Sequence, residues 1–197
     1  MAAEADSQLM LRVKDGDERS FALLLNRFRV PVYQYLYRMV HSPAVAEELA
    51  QEAFLRIYRA RASYEPSAKF TTWLYRICTH LALNHIRDSR KERDHARLDD
   101  TPEDGRPLQV ATTDATIEDK MVARLRTERI RGAVDELPEK QKVAVIMHKY
   151  QEMDYKQIAD LLDTSESAVK SLLFRAYESL RTKLADLATA NATKVDS

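Results

Sequence analysis

The sequence predicts an all-α protein: two small helical domains joined by a flexible acidic linker, the second domain containing a helix-turn-helix. Three observations predict this. Of 197 residues only three are glycine and six are proline, and no stretch alternates apolar and polar residues in the manner of a strand. Apolar residues make up 45% of the chain and recur at three- and four-residue spacing, the repeat of one helix face. Residues 98–119 hold seven acids against one arginine, with Gly105, Pro102 and Pro107, a composition that cannot build a core. The expected boundaries are a first domain over 1–94, a linker over 95–116, a second domain over 117–188 and a small polar tail over 189–197, frayed at the end of the chain.

The formal net charge is zero, but its distribution is uneven. Residues 68–97 carry seven Lys/Arg against three acids, about +4; residues 98–119 come to −6; residues 165–183 carry four basic residues against two acids, +2. Two basic segments therefore flank an acidic one, and local fields rather than the chain total decide phosphate binding. The single cysteine, Cys78, allows no internal disulfide and suits a reducing cytoplasm. There is no run of about 18 apolar residues and no basic-then-apolar leader, so neither membrane insertion nor secretion is expected.

A first helix is predicted over 6–14, with Leu9, Met10 and Val13 apolar and Gly16 as its stop. A second starts near Asp17 and carries Phe21, Leu24, Leu25, Phe28, Val32, Leu36, Tyr37 and Val40. Pro31 in its middle predicts a kink or a break, because proline lacks the backbone donor. Ser42-Pro43 starts a third helix, with a capping hydroxyl followed by proline at the first helical position. From 43 to about 61 this helix sets Leu49, Ala53, Phe54 and Ile57 on one face and Glu47, Glu48, Gln51 and Glu52 on another. The acidic face reads either as a solvated surface or as a dock for a basic partner. After a polar break with Pro66, a long helix opens at Phe70. Leu74, Ile77, Leu81 and Cys78 can face a core, while Trp73, Arg76, His80, Asn84 and Arg87 form a neighbouring strip. Aromatic, basic and amide groups on one strip suit single-stranded DNA, whose bases stack and whose phosphates pair with cations; by composition alone Trp73 reads as a core residue and the arginines as solvated. Cys78, His80 and His85 lack the paired spacing of zinc ligands, so no metal is expected.

The second domain begins near Ile117 with a helix whose apolar residues are Met121, Leu125, Ile130 and Val134, interrupted by Gly132, worth about 1 kcal/mol against alanine. Glu136-Leu137-Pro138 ends it and starts a helix holding Val143, Ala144, Ile146 and Met147. Asp154 can cap the next short helix while Gln157, three residues on, reaches back to the cap. Ile158, Leu161 and Leu162 share its face, and small Ala159 lets a second helix pass. The polar break Asp163-Thr164-Ser165 follows, with Asp163 where such turns often have glycine; aspartate tolerates a left-handed backbone at some cost. Ser165 caps a last helix to about Leu184 that buries Val169, Leu172, Leu173, Ala176 and Leu180 and turns Ser167, Lys170, Ser171, Arg175 and Glu178 outward. This is the pattern of a helix-turn-helix whose second helix enters the DNA major groove.

Four stretches stand in order: 46–54 (AEELAQEAF), 70–77 (FTTWLYRI), 136–138 (ELP) and 155–159 (YKQIA). Together they resemble an extracytoplasmic-function sigma factor, the minimal group of the sigma-70 family, over roughly residues 9–184. The resemblance implies that the first domain binds the clamp helices of the RNA polymerase β′ subunit through Glu48, Leu49, Gln51 and Glu52. It implies that the same domain takes the promoter −10 element as single strand, with the loop 63–70 receiving a flipped base and Lys69, Trp73, Arg76, His80, Asn84 and Arg87 on the DNA side. His80 stands where many members have asparagine. The resemblance also implies that the second domain reads the −35 duplex through Ser167, Lys170, Ser171, Phe174 and Arg175 and docks on the β flap, and that the acidic linker threads a polymerase channel. An anti-sigma factor is the further partner implied. Neither a cofactor, a small-molecule substrate nor a catalytic residue is expected, since the polymerase is the enzyme.

Other readings of the same residues are a helix-turn-helix repressor or activator, which would need a dimer interface and a palindromic site, and a sigma-like mimic that sequesters an anti-sigma factor. The repressor leaves the 51–54 stretch and Trp73 unexplained; a mimic has no use for Lys170 and Arg175. A third, a helical metal sensor on Cys78 and His80, meets the spacing objection above.

Overall fold

A computed structural model of the chain describes residues 5–96 and 117–187, with side chains described over 5–92 and 121–187. These residues form eight α-helices and one 3-10 turn, and no strand among them. In order they are α1 (Asp6–Lys14), α2 (Glu18–Val40), α3 (Pro43–Arg59), the 3-10 turn Ala60–Ser63, α4 (Phe70–Ala96), α5 (Ile117–Asp135), α6 (Glu139–Tyr150), α7 (Tyr155–Leu162) and α8 (Glu166–Lys183). The chain divides into two compact units, one built from α1–α4 and one from α5, α6, α8 and most of α7. The acidic segment from 97 to 116 and the tail from 188 lie outside the described residues.

The punctuation of the first unit follows local chemistry. Gly16 takes a φ of +96°, a left-handed conformation in open space that ends α1. Asp17 then caps α2, its Oδ1 accepting from the backbone N–H of Arg19 at 2.9 Å, and Ser20 Oγ donates to its second oxygen at 2.7 Å. The Ser20 hydroxyl holds the Asp17 carboxyl below the usual carboxylate range. Ser42 Oγ accepts from Val45 N–H, with Pro43 in the first turn of α3.

The expected break at Pro31 does not occur. Helix α2 runs unbroken from Glu18 to Val40 through the proline. Proline forfeits one backbone bond, but Phe28 and Val32 on either side are both buried, so packing holds the helix together across it. The buried stripe of α2 is Leu24, Phe28, Val32, Tyr35, Leu36 and Met39. Helices α1, α3 and α4 all pack on α2, and α3 packs on α4. Where α4 meets the stripe, Tyr35 Oη lies 2.8 Å from Thr79 Oγ1, whose own hydroxyl donates to the Tyr75 carbonyl at 2.7 Å. The Tyr35 hydroxyl therefore donates to Thr79, and every polar atom of that buried chain has a partner. Cys78 is wholly buried beside it, and burial pushes its thiol well above the ordinary range, which leaves it an inert core residue.

In the second unit α6 is the core helix, with Val143 to Met147 buried in succession, and α8 packs against it through Val169, Leu173 and Ala176. Lys142, nearly buried, pairs with Asp135 at 2.7 Å and so fastens the end of α5 to the start of α6 across Leu137-Pro138. Helix α5 departs from expectation. Met121 and Leu125 are 63% and 53% exposed, and the half of α5 that is buried is its C-terminal end around Ala133. Its apolar pattern is real, but nothing among the described residues covers the N-terminal part.

Two substitutions test this packing. Leu36→Ala should cost roughly 2–5 kcal/mol of stability through lost burial and the cavity left behind, read as a lower urea midpoint at unchanged slope. Gly132→Ala should stabilise the second unit by about 0.5–1 kcal/mol, because a Cβ there meets nothing within 4 Å; a raised thermal midpoint is the readout.

Candidate functional site

Three exposed surfaces result from these packings. On α3 the buried side is Ala46, Leu49, Ala50, Ala53, Phe54 and Ile57. Glu47, Glu48 and Gln51 are exposed and Glu52 half-buried on the other side. Leu49, only 9% exposed, belongs to the core side; its contribution to this face is to seat the helix. Among the described residues Glu47 and Glu48 make no ion pair, whereas Glu52 accepts from Arg56 Nε at 2.7 Å, one turn on. That bond lowers the Glu52 carboxyl from its ordinary value.

One feature beside this face was not read from the sequence. An open groove of about 930 Å³ lies between α2 and α3, lined by Phe21, Leu25, Val30, Tyr33, Phe54 and Leu55, with Gln51 on its wall. Its signal was the apolar residues of α2 that fall off the buried stripe, Phe21, Leu25 and Val30, the last more than half exposed.

On α4 the strip stands as spaced. Lys69, Arg76, His80, Asn84 and Arg87 are all exposed, along one side of the helix. Trp73 is half-buried at the head of the strip, its ring centroid 5.0 Å from that of Tyr64 and 6.0 Å from that of Phe70. One side of this ring is packed, and the rest is open to solvent. Among the described residues no group of three His, Cys, Asp or Glu could hold a metal ion, and Cys78 is buried while His80 is exposed.

The third surface is built by α7, its turn and α8. Asp154 Oδ1 accepts from Gln157 N–H at 2.8 Å and Gln157 Oε1 accepts from Asp154 N–H at 3.1 Å, a reciprocal capping box. Asp163 adopts φ +50°, and Thr164 N–H closes onto the Ala159 carbonyl at 3.0 Å, the six-residue closure that ends a helix in a left-handed cap. Ser165 Oγ accepts from Ala168 N–H at 3.2 Å and starts α8 at once. A side-chain link missed in the sequence also reaches α8: His148 Nδ1 of α6 lies 3.1 Å from Tyr177 Oη.

The outer face of α8 carries Ser167, Lys170, Ser171, Phe174 and Arg175, all exposed, with Phe174 at 68%. Of the four cations on this helix, Arg181 pairs with Glu178 at 2.5 Å and Lys183 pairs with Glu136. Lys170 and Arg175 make no ion pair among the described residues, so their charges are available to an outside anion. Ser171 donates to the Ser167 carbonyl at 3.0 Å and keeps its oxygen as an acceptor.

Comparison with known proteins identifies the family, one family model falling on each unit. The family model for sigma-70 region 2 matches residues 24–92, and that for sigma-70 region 4 matches residues 127–180. The RNA polymerase sigma-H factor of Pseudomonas aeruginosa is 32% identical over 183 residues, 91% of this chain and 94% of that protein. The ECF RNA polymerase sigma factor SigW of Bacillus subtilis is 32% identical over 179 residues, 89% of this chain and 95% of that one. Among solved structures, the sigma factor RpoE of Bartonella quintana, in complex with the anti-sigma factor NepR, shares the fold with a TM-score of 0.67 at 16% identity, over 85% of this chain and 98% of that one. The chain belongs to the sigma-70 family, in its extracytoplasmic-function group. Its activity is that of an alternative sigma factor, which directs RNA polymerase to promoters.

Asp163 is the point where the turn chemistry is least favourable. Asp163→Gly should raise the thermal stability of the second unit by up to about 1 kcal/mol, since glycine takes positive φ without the penalty of a Cβ; calorimetric unfolding of the full chain measures it.

Proposed function

We propose that the two units divide the work of initiation as follows. The first, over 1–94, docks on the polymerase β′ clamp helices through Glu48, Gln51 and Glu52, with Leu49 behind them, and holds the −10 element as single strand along Lys69, Trp73, Arg76, His80, Asn84 and Arg87. The second, over 117–188, reads the −35 duplex with Ser167, Lys170, Ser171, Phe174 and Arg175 and rests on the β flap. The segment 95–116 joins them as an acidic linker, and 189–197 is a tail. The chain acts in the bacterial cytoplasm, carries no catalytic residue, and is held in reserve by an anti-sigma factor; the Bartonella sigma factor RpoE is seen in complex with one.

The observation that carries this reading is the state of the cations on α8. The two on the outer face are uncommitted among the described residues and the two at its end are paired. An exposed lysine and arginine one and a half turns apart, with an exposed phenylalanine between them, suit phosphate oxygens, guanine acceptors and a thymine methyl in a major groove. The acidic α3 face is the electrostatic complement of an arginine-rich helix pair. Melting costs stacking and pairing, and an aromatic-basic strip that stacks and pairs with extruded bases offsets part of that cost.

The test is a set of substitutions read in two assays. Lys170→Ala and Arg175→Ala should each weaken binding of holoenzyme to a −35-containing duplex by about 1–3 kcal/mol, roughly 5- to 150-fold, with core polymerase affinity unchanged. The double substitution Gln51→Ala, Glu52→Ala should weaken core binding while leaving the second unit's duplex affinity intact. A Glu52→Ala chain that binds core normally and loses only DNA would contradict this division.

A further inference from the structure

Helix α1 belongs to none of the three surfaces, yet it is placed where it can govern one of them. It packs against the 3-10 turn Ala60–Ser63, which enters the loop before α4, and against α4, which leaves that loop. Its own seat is firm: Leu9, Met10 and Val13 are buried. At its last residue, Lys14 Nζ donates to the backbone carbonyl of Tyr64 at 2.9 Å, a bond between residues fifty positions apart.

Tyr64 is the residue through which that bond is felt. It is buried, with its ring against Trp73 at 5.0 Å and against Phe70 at 6.4 Å. Its hydroxyl is buried without a partner, so hydrogen bonding at the ring does nothing to fix it; packing and the main chain must. The main-chain ties around it are short-range: Tyr64 N–H to the Arg61 carbonyl at 3.2 Å, and Ser67 N–H to the Glu65 carbonyl at 2.9 Å. The Lys14 bond anchors the loop to a separate, well-packed helix. From Lys14 the contacts run to Tyr64, and from Tyr64 to the packed side of Trp73, whose other side heads the α4 strip.

We propose that Lys14 is a positioning residue for promoter opening: by holding the Tyr64 carbonyl it sets the pose of Tyr64 and Trp73, and so the surface on which extruded bases land. Lys14 touches no DNA in this arrangement and acts through Trp73. The proposal rests on the reading of the α4 strip as the single-strand surface. A recognition group held by packing and one directed hydrogen bond loses geometry when that bond goes, even where the fold survives.

The experiment uses full-length chain with core polymerase and a duplex fragment of a promoter that this holoenzyme transcribes, with 2-aminopurine at the bases that melt. Lys14→Met keeps the aliphatic stem and removes the donor; Lys14→Arg restores a donor. Lys14→Met should lower the rate of 2-aminopurine fluorescence gain roughly 3- to 10-fold, the scale of one net hydrogen bond, with core affinity and thermal midpoint unchanged, and Lys14→Arg should recover most of it. Trp73→Ala is the control and should melt the fragment poorly. If Trp73→Ala is impaired and Lys14→Met opens the fragment at the wild-type rate, the positioning role is overturned alone. Loss of thermal stability and core binding in parallel with opening would overturn it in favour of a purely structural role. If Trp73→Ala also opens the fragment normally, the strip itself is misread and the role of Lys14 falls with it.

Discussion

The buried stripe of α2 is the constraint on which the first unit depends. Leu24, Phe28, Val32, Tyr35, Leu36 and Met39 form one continuous apolar line, and α1, α3 and α4 all pack on that helix. Each of those helices has one apolar face, and burying it fixes which residues remain outside. On α3 the burial of Ala46, Ala53 and Ile57 leaves the glutamates in solvent; on α4 the burial of Leu74, Cys78 and Leu81 leaves Arg76, His80, Asn84 and Arg87 there. The acidic and the aromatic-basic surfaces are therefore not separate designs. Both follow from how two amphipathic helices share one partner, and the Tyr35–Thr79–Tyr75 hydrogen-bond chain fixes α4 on α2 at one register.

In the second unit the equivalent constraint is backbone punctuation. The capping box at Asp154, the left-handed Asp163 and the cap at Ser165 start α7, end it and start α8 within twelve residues. That leaves little freedom in where α8 points. The polar pairs then sort its cations. Glutamates on α8 itself and at the end of α5 pair with Arg181 and Lys183, whereas Lys170 and Arg175 make no ion pair among the described residues. Lys170 and Arg175 lie on the exposed side of α8 that also carries Ser167, Ser171 and Phe174.

What was legible in the sequence was local. Ser42-Pro43, Asp154 with Gln157, and Ser165 each announce a helix start because the capping atom lies within three residues of the group it satisfies. Asp163 was legible as the turn for the same reason, and the one-sided strip of α4 because helical spacing alone places it. Where the outcome depended on partners far along the chain, the sequence misled or was silent. Pro31 signalled a break, but the burial of its neighbours carries the helix through. Met121 and Leu125 have the spacing of a buried face and stand exposed, since spacing says which residues share a side and nothing about what covers it. The groove beside Gln51 and the bond from Lys14 to Tyr64 both join elements remote in sequence, and no periodicity foretells them.

The most direct measurement of the central claim is transcription in vitro. The purified chain is added to sigma-free core polymerase with fragmented genomic DNA of the source organism, and the 5′ ends of the RNA are sequenced. The account predicts discrete start sites absent with core alone, sharing two upstream motifs at fixed separation: one for the α8 face and one for the α4 strip. Tight binding of the chain to core with no new start sites would contradict it, because a chain that docks without selecting promoters has no use for either DNA surface.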